Sequence, residues 1–459
     1  MQRASDKTAL FETMPVRRAV FRQVVPAVAG QMIALVYSLA DTYFVGMLDQ
    51  PRQTAAITVV YSPFVMLTAI SNLFGVGGAS ALSRALGTKK REAAREIAAL
   101  SFWGGLLFSV LFSLLFLAFA RPVLTLCGAG PDVYDTAFGY ALWAVVIGGP
   151  ATILNTLLAN LVRAEGNAAA ASVGVSMGGV LNILLDPFFV LPAFLGFGAV
   201  GAGMATALSN LAAALYFLFY IGIRRGKTPV SLNPALLPRA LRHLRAILSS
   251  GLPSAVQYAL TVVAIAAQSR FVSRYGTQAM AALGIVKKLD QLPLYFSIGV
   301  SSGILPLLAY NHSSGNRARK KGVFRLGCAV SLSFSLLCLA AYELFAPGLC
   351  ALFINDPATI GYSAGFLRRM VTAMPLMSVC YPMIIQFQAS ERVKASMVCS
   401  VLRKGVLDIP LLFLMDAAFG LYGCMWVQPM VDFVSLIAAG IFFRQQEREE
   451  GFRAGPQKF

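Results

Sequence analysis

The chain has 459 residues, of which 57% are hydrophobic and only 13% charged, with a mean hydropathy of +0.69 and a formal net charge of +18. Soluble domains carry roughly 25% charged residues, so this composition excludes an ordinary soluble module, and the recurring runs of about 20 apolar residues point to membrane-spanning helices. Stretches such as Leu106 to Ala120 are apolar at every position or nearly so, which excludes the alternating strands of an outer-membrane barrel. Backbone inside a bilayer must satisfy its own hydrogen bonds, so the spans are helical.

In chain order, apolar runs bounded by charges or by Gly and Pro predict spans near residues 20–47, 54–83, 96–120, 133–160, 169–194 and 199–222. Six more follow near 251–275, 279–309, 323–346, 361–389, 396–416 and 419–443. The segment Met1–Pro15 is polar and leads straight into the first span, unlike a cleaved signal peptide, so the tail to Arg18 is expected in the cytoplasm. Arg224–Arg245, the longest polar interruption, reads as a linker between an N-terminal lobe over 1–228 and a C-terminal lobe over 229–459. Its stretch Leu236–Leu248 could alternatively lie on an anionic leaflet as a short amphipathic helix. The seven cysteines are scattered without a CxxC pair and read as packing residues.

Lys and Arg placement tests the topology, because cytoplasmic loops carry the positive residues. With the N-terminus inside, Arg17, Arg18, Arg22, Lys89, Lys90, Arg91, Arg95, Arg163, the mid-chain linker, Arg317 to Arg325, Arg392, Lys394 and the tail Arg444–Lys458 all fall on the cytoplasmic side. Only Arg52, Arg121, Arg270, Arg274, Arg368 and Arg369 fall opposite. The asymmetry predicts an even number of spans with both termini cytoplasmic. It also accounts for the net charge without a nucleic-acid partner, since the basic residues are spread over loops.

Sliding the sequence on itself by about 225 residues reveals an internal repeat. Val25-Pro26 meets Leu252-Pro253, Phe44-Val45 meets Phe271-Val272, Ala55-Ala56-Ile57 meets Ala281-Ala282-Leu283, Gly75-Val76 meets Gly299-Val300, and Gly198/Gly201 echo Gly420/Gly423. A duplicated six-helix unit is even, so both copies share one orientation and are related by an axis along the membrane normal. The expected fold is therefore an all-α integral membrane protein with about twelve transmembrane helices, arranged as two pseudo-symmetric six-helix bundles around a central cavity.

Acidic residues within apolar spans need a reason, because a charge at mid-bilayer costs at least about 2.5 to 3.5 kcal/mol on insertion scales. Asp41 lies in the first span, and Asn182 and Asp186 share a face of the fifth at i,i+4, just before Pro187. Oxygen ligands beside a carboxylate suit a proton or a small hard cation; an interfacial carboxylate at Asp41 and a helix-end residue at Asp186 are the structural alternatives. In the second half, Lys287 and Asp290 at i,i+3 can neutralise each other as a structural pair, with a substrate-coupled site as the alternative, Asp408 is open between coupling and packing, and Arg403 and Lys404 are expected to snorkel toward the cytoplasm.

Leu161-Val-Arg-Ala-Glu-Gly-Asn167, Asn182-Ile-Leu-Leu-Asp-Pro187, the stretch Gly198 to Ser209, Asp41 within Ala40–Gly46, and Gly87 before a basic loop together resemble the MATE (multidrug and toxic compound extrusion) family, most nearly its bacterial MepA-like and DinF-like members. The resemblance covers nearly the whole chain. It implies secondary active efflux of organic cations or amphiphiles, by antiport with H+ or Na+ through alternating access, in a bacterial plasma membrane. Carried over by position, it implies an ion site at Asp41, Asn182, Asp186 and Thr206, cavity neighbours at Tyr37, Asn155 and Gln31, and a helix hinge at Pro26. The acidic cluster that one branch of the family carries in the second half is poorly reproduced, since the seventh span has no Asp or Glu and the tenth shows Gln386.

Two rival readings start from the same residues. A lipid-linked-oligosaccharide flippase of the same superfamily would share the repeat but calls for a more cationic central cavity. A membrane-embedded enzyme would need a catalytic constellation, whereas His243 and His312 fall in segments expected to be cytoplasmic and no nucleophile or structural-metal motif is present. The expectation is thus a monomeric, non-enzymatic transporter whose partners are the lipid bilayer and small organic cations, without cofactors.

Overall fold

The computed structural model describes residues 9–48 and 50–452. The first eight residues of the polar N-terminal tail, Asp49, and residues 453–459 of the basic C-terminal tail lie outside them. All regular elements among the described residues are helical. Those that matter here are α1 (Val16–Gly46), α2 (Pro51–Gly87), α3 (Arg91–Ala118), α4 (Pro131–Ile147 and Gly149–Ala164), α5 (Ala168–Val190) and α6 (Gly198–Ile223). The second half supplies α7 (Leu244–Val272), α8 (Thr277–Ser313), α9 (Arg317–Ala351), α10 (Pro357–Ala389), α11 (393–419) and α12 (421–452).

The α4 crossing departs from the regular helix expected, and the last two crossings are joined by a tight turn between the spans expected at 396–416 and 419–443. The two parts of α4 bend by 44° around Gly148, after a π-helical stretch at Leu142–Ile147; Pro150, without an N–H, prevents the regular ladder from continuing across the bend. The apolar stretch Val393–Glu450 is 58 residues long, roughly 87 Å as one helix against a hydrocarbon core of about 30 Å. It turns back at Gly420, whose φ of 60° is a left-handed conformation. Beyond that turn, Gly423 lies against the Met415 carbonyl oxygen, Lys404 reaches Gln428 and Arg403 reaches Asp432, as in an antiparallel hairpin.

The repeat reappears in how the halves meet. On one side α2 packs on α7, with Gly77 against Ile247 and Gly251 against Leu73. On the other, α8 packs on α1, where a Cβ at Gly299 would lie 2.7 Å from the Val28 Cα and one at Gly303 would lie 2.8 Å from the Val24 Cα. Small residues at four-residue spacing let the backbones approach in this way. The linker after α6 folds back on the N-terminal half: the Trp103 indole donates to the Leu232 carbonyl oxygen at 3.0 Å, and Arg242 pairs with Glu96 at 2.8 Å.

Near the face that carries both described chain ends, one continuous core unites the halves and includes Val20, Val24, Leu82, Leu161, Ile247, Ile304 and Val323. Toward the opposite face the core divides. Val45, Val60, Leu124 and Val190 belong to one cluster, and Phe271, Val286, Tyr342 and Phe366 to another. The two bundles are thus joined at the terminal face and parted at the other. Polar bonds reinforce the closure: Arg84 of α2 donates to Ser250 and to the Gln388 carbonyl oxygen, each at 3.2 Å, and pairs with Glu391 at 2.9 Å. Leu10 and Phe11 are buried before α1, between Gly166 and Tyr310, and Arg319 donates to the Leu10 carbonyl oxygen at 2.9 Å.

Candidate ion site

α5 is wedged between α1 and α6 because its facing residues are small. A Cβ on Gly179 would come within 2.7 Å of Ile33, and one on Gly178 within 3.0 Å of Ala213. This close fit buries the α5 face carrying Asn182 and Asp186, which are 2% and 0% exposed. The Asn182 amide donates to Asp186 Oδ1 at 3.3 Å and to Thr206 Oγ1 of α6 at 3.5 Å. From Thr206 the network continues along α6, since Asn210 donates to the Thr206 carbonyl oxygen at 2.9 Å and accepts from Asn155 of α4, also at 2.9 Å.

α1 contributes Tyr37 and Asp41, which share a face at i,i+4. Asp41 and Asp186 lie within electrostatic reach of each other and of Tyr37 and Tyr140. Asp41 Oδ1, Asp186 Oδ2 and Asn182 Oδ1 are buried without a hydrogen-bond partner among the described residues. A buried acceptor left unpaired is costly, and a buried carboxylate more so. Two carboxylates, an amide oxygen and a hydroxyl, with no ammonium or guanidinium paired to either acid among the described residues, form a donor set that fits a proton or a hard cation.

The remaining sequence candidates fall elsewhere on the same framework. Asn155 joins the network through Asn210. Gln31 is half-buried on α1, roughly 15 Å along the helix axis from Asp41, away from the carboxylates. Pro26 lies inside α1, which continues through it, between the Val24 and Val28 positions that touch α8. Sequence reading missed Asn210 and Tyr140. The first carries a readable signal, an i,i+4 spacing from Thr206; the second is a tyrosine among many, brought in only by the fold of α4.

Arg403 and Lys404 correct an expectation. They do not snorkel to the membrane surface: Arg403 is 1% exposed, pairs with Asp432 at 3.1 Å and lies 4.1 Å from the Tyr381 ring centre. Lys404 donates to Gln428 at 2.5 Å. The cause is a break in α11, where Lys404 and Gly405 leave helical geometry with φ of −141° and 127°. Asp432 escaped notice in the sequence; its i,i+4 relation to Gln428, which donates to it at 2.8 Å, was the available signal.

Residues 26–188 and 253–414 each match the MatE family, one segment in each half. The chain belongs to the MatE family. Among curated relatives it is similar to Multidrug export protein MepA of Staphylococcus aureus (strain MRSA252), with 29% identity over 434 residues and 94% of both chains covered. MepA of Staphylococcus saprophyticus is 27% identical over 431 residues, again with 94% of each chain covered. Among solved structures, an outward-facing multidrug resistance MATE family transporter of the MOP superfamily superposes with a TM-score of 0.89 at 22% identity, covering 97% of this chain and 98% of that one. A MATE in the bent conformation gives 0.85 at the same identity and coverage. This MatE member thus has the MATE transporter fold.

Proposed function

We propose that this MatE-family protein is a secondary active multidrug efflux transporter, exporting organic cations or amphiphiles by antiport with H+ or Na+. The observation that carries the reading is the unpartnered, buried oxygen set of Asp41, Asn182 and Asp186 beside Thr206. Cation binding there lowers the charge of the carboxylate pair and so favours one packing of α1 against α5 over another. A ligand shifts such an equilibrium by its differential affinity for the two states, and a few kcal/mol suffices. The lobes 1–228 and 229–459 rock about the α1–α8 and α2–α7 contacts, Pro26 gives α1 its hinge, and Tyr37, Asn155 and Gln31 serve the substrate cavity.

The MepA relatives, named as multidrug export proteins, support the substrate class. The basic terminal face supports an orientation with both ends in the cytoplasm of a bacterium, and a monomer suffices for the cycle. The experiment is dye efflux from proteoliposomes under separately imposed H+ and Na+ gradients. Efflux driven by one of them and lost in Asp41→Asn is the expected result; gradient-driven efflux that persists in a well-inserted Asp41→Asn protein refutes the site.

A further inference from the structure

The C-terminal half contains a cavity whose lining can be set against the ion site residue by residue. Two pairs of contacts establish the correspondence. Gly179 of α5 faces Ile33 of α1, and Gly405 of α11 faces Leu260 of α7. Gly201 of α6 lies against the Phe189 carbonyl oxygen, and Gly423 of α12 lies against that of Met415. With these registers, Gln268 stands where Asp41 does, Ala264 at Tyr37, Asp408 at Asn182, Leu412 at Asp186 and Gln428 at Thr206. All five line one cavity with about 10 Å³ of room, on the order of one water molecule, and Lys287 of α8 and Lys404 of α11 line it as well.

We propose that this cavity is the C-terminal lobe's copy of the ion site, kept permanently loaded by the Lys404 and Lys287 ammonium groups, so that only the N-terminal lobe exchanges a mobile cation. The inference rests on the reading of the Asp41–Asp186 site as the exchanging one. The charges on every packed element support it. Lys287 lies within reach of Lys404, Asp290, Asp408 and Asp432, and Arg403 pairs with Asp432. Lys287, Arg403 and Lys404 therefore balance Asp290, Asp408 and Asp432, while α7 and α10 add the phenols of Tyr258 and Tyr381 and the thiol of Cys380. Lys288 is about 100° round α8 from Lys287. By contrast, Gly178 and Pro63 stand near the corresponding N-terminal positions, and among the described residues Asp41 and Asp186 have no tethered cation. The same architecture thus holds an unbalanced acid pair in one lobe and a balanced cluster in the other, and a balanced cluster gains little from an added ion.

Lys404→Met keeps the length of the side chain and removes its charge, leaving one carboxylate in excess. Bound H+ is counted by infrared carboxyl difference spectra between alkaline and mildly acidic medium, and bound Na+ by equilibrium dialysis of the radioactive ion, both on the purified full chain. One additional H+ or Na+ per chain relative to the unmodified protein is expected, lost again in Lys404→Met/Asp408→Asn. A folded Lys404→Met protein with unchanged counts of both ions overturns the proposal, as does an additional ion that survives Asp408→Asn. Should Lys404→Met not fold, the charge-balanced double variant should recover folding; its failure to do so also overturns the proposal. Asp41→Asn, measured alongside, tests the N-terminal reading separately: an unchanged count there defeats that reading and leaves the Lys404 comparison intact.

Discussion

Arg84 on α2 donates to the backbone carbonyl oxygen of Gln388 on α10 at 3.2 Å, across the boundary between the two halves. The same guanidinium reaches Ser80 at 2.6 Å within its own helix and pairs with Glu391. Hydrogen bonds to charged groups are worth about 1.5 to 3 kcal/mol each, and those that cross the boundary exist only while the terminal face is closed. Arg84→Met should therefore shift the population toward the state open at that face by at least about tenfold. Spin labels placed on the ends of α2 and α10 should report a longer distance by pulsed electron resonance. An unchanged distance distribution would show that Arg84 does not hold the closure.

The glycines at the second crossing permit a steric test. A Cβ at Gly303 would lie 2.8 Å from the Val24 Cα, whereas one at Gly440 on α12 would meet nothing within 4 Å. Gly303→Val should cost about 1 to 3 kcal/mol, as overpacking does, or force α8 away from α1. Gly440→Ala should be neutral. Thermal unfolding in detergent compares the two, and equal midpoints would contradict the tight crossing.

The terminal face can be assigned by labelling. In a variant lacking native cysteines, a cysteine at Pro131 should react with an impermeant maleimide added outside cells, and one at Lys90 should not. Reactivity at Lys90 alone would invert the orientation proposed from the basic loops.

The apolar crossings among the described residues were legible because each run exceeds the length that a bilayer demands, and the reversal at Gly420 because the runs 396–416 and 419–443 are parted there. Asn182 and Asp186 could be placed on one face because a regular helix fixes the i,i+4 relation. Their bond to Thr206 required the packing of α5 on α6, which depends on the small residues at Gly178 and Gly201. The break at Lys404 and Gly405 was not legible. Hydropathy scores a basic pair in an apolar run as surface-seeking, whatever carboxylate waits on the next helix, and Asp432 becomes a partner only when the hairpin closes. The joined and parted ends of the two bundles were equally hidden, since a glycine reveals its role only through the atoms opposite it.

Arg403 and Asp432 are each 1% exposed, and this pair makes a thermodynamic prediction. Removing one partner of a buried ion pair typically costs about 3 to 5 kcal/mol, because the other charge is stranded. Arg403→Met should lower stability by about that amount, whereas Arg403→Met/Asp432→Leu should recover most of it. A double-mutant cycle on unfolding free energy in detergent reads the coupling. Additive losses would mean that the two charges do not depend on each other.

The shared use of Asp41 and Asp186 can be tested by non-additivity. Asn182 bonds both Asp186 and Thr206, and Asp41 is within electrostatic reach of Asp186, so one shared ion lowers the charge of both carboxylates together. Asp41→Asn and Asp186→Asn each remove a negative charge as protonation would, without changing side-chain length. Either variant should hold, in alkaline Na+-free medium, the conformation that the unmodified protein adopts only when loaded, and the double variant should go no further. Spin-label distances between the parted ends of the two bundles measure that conformation. If the single changes shift the distances independently and the double change adds them, the two carboxylates serve separate ions and the shared site is wrong.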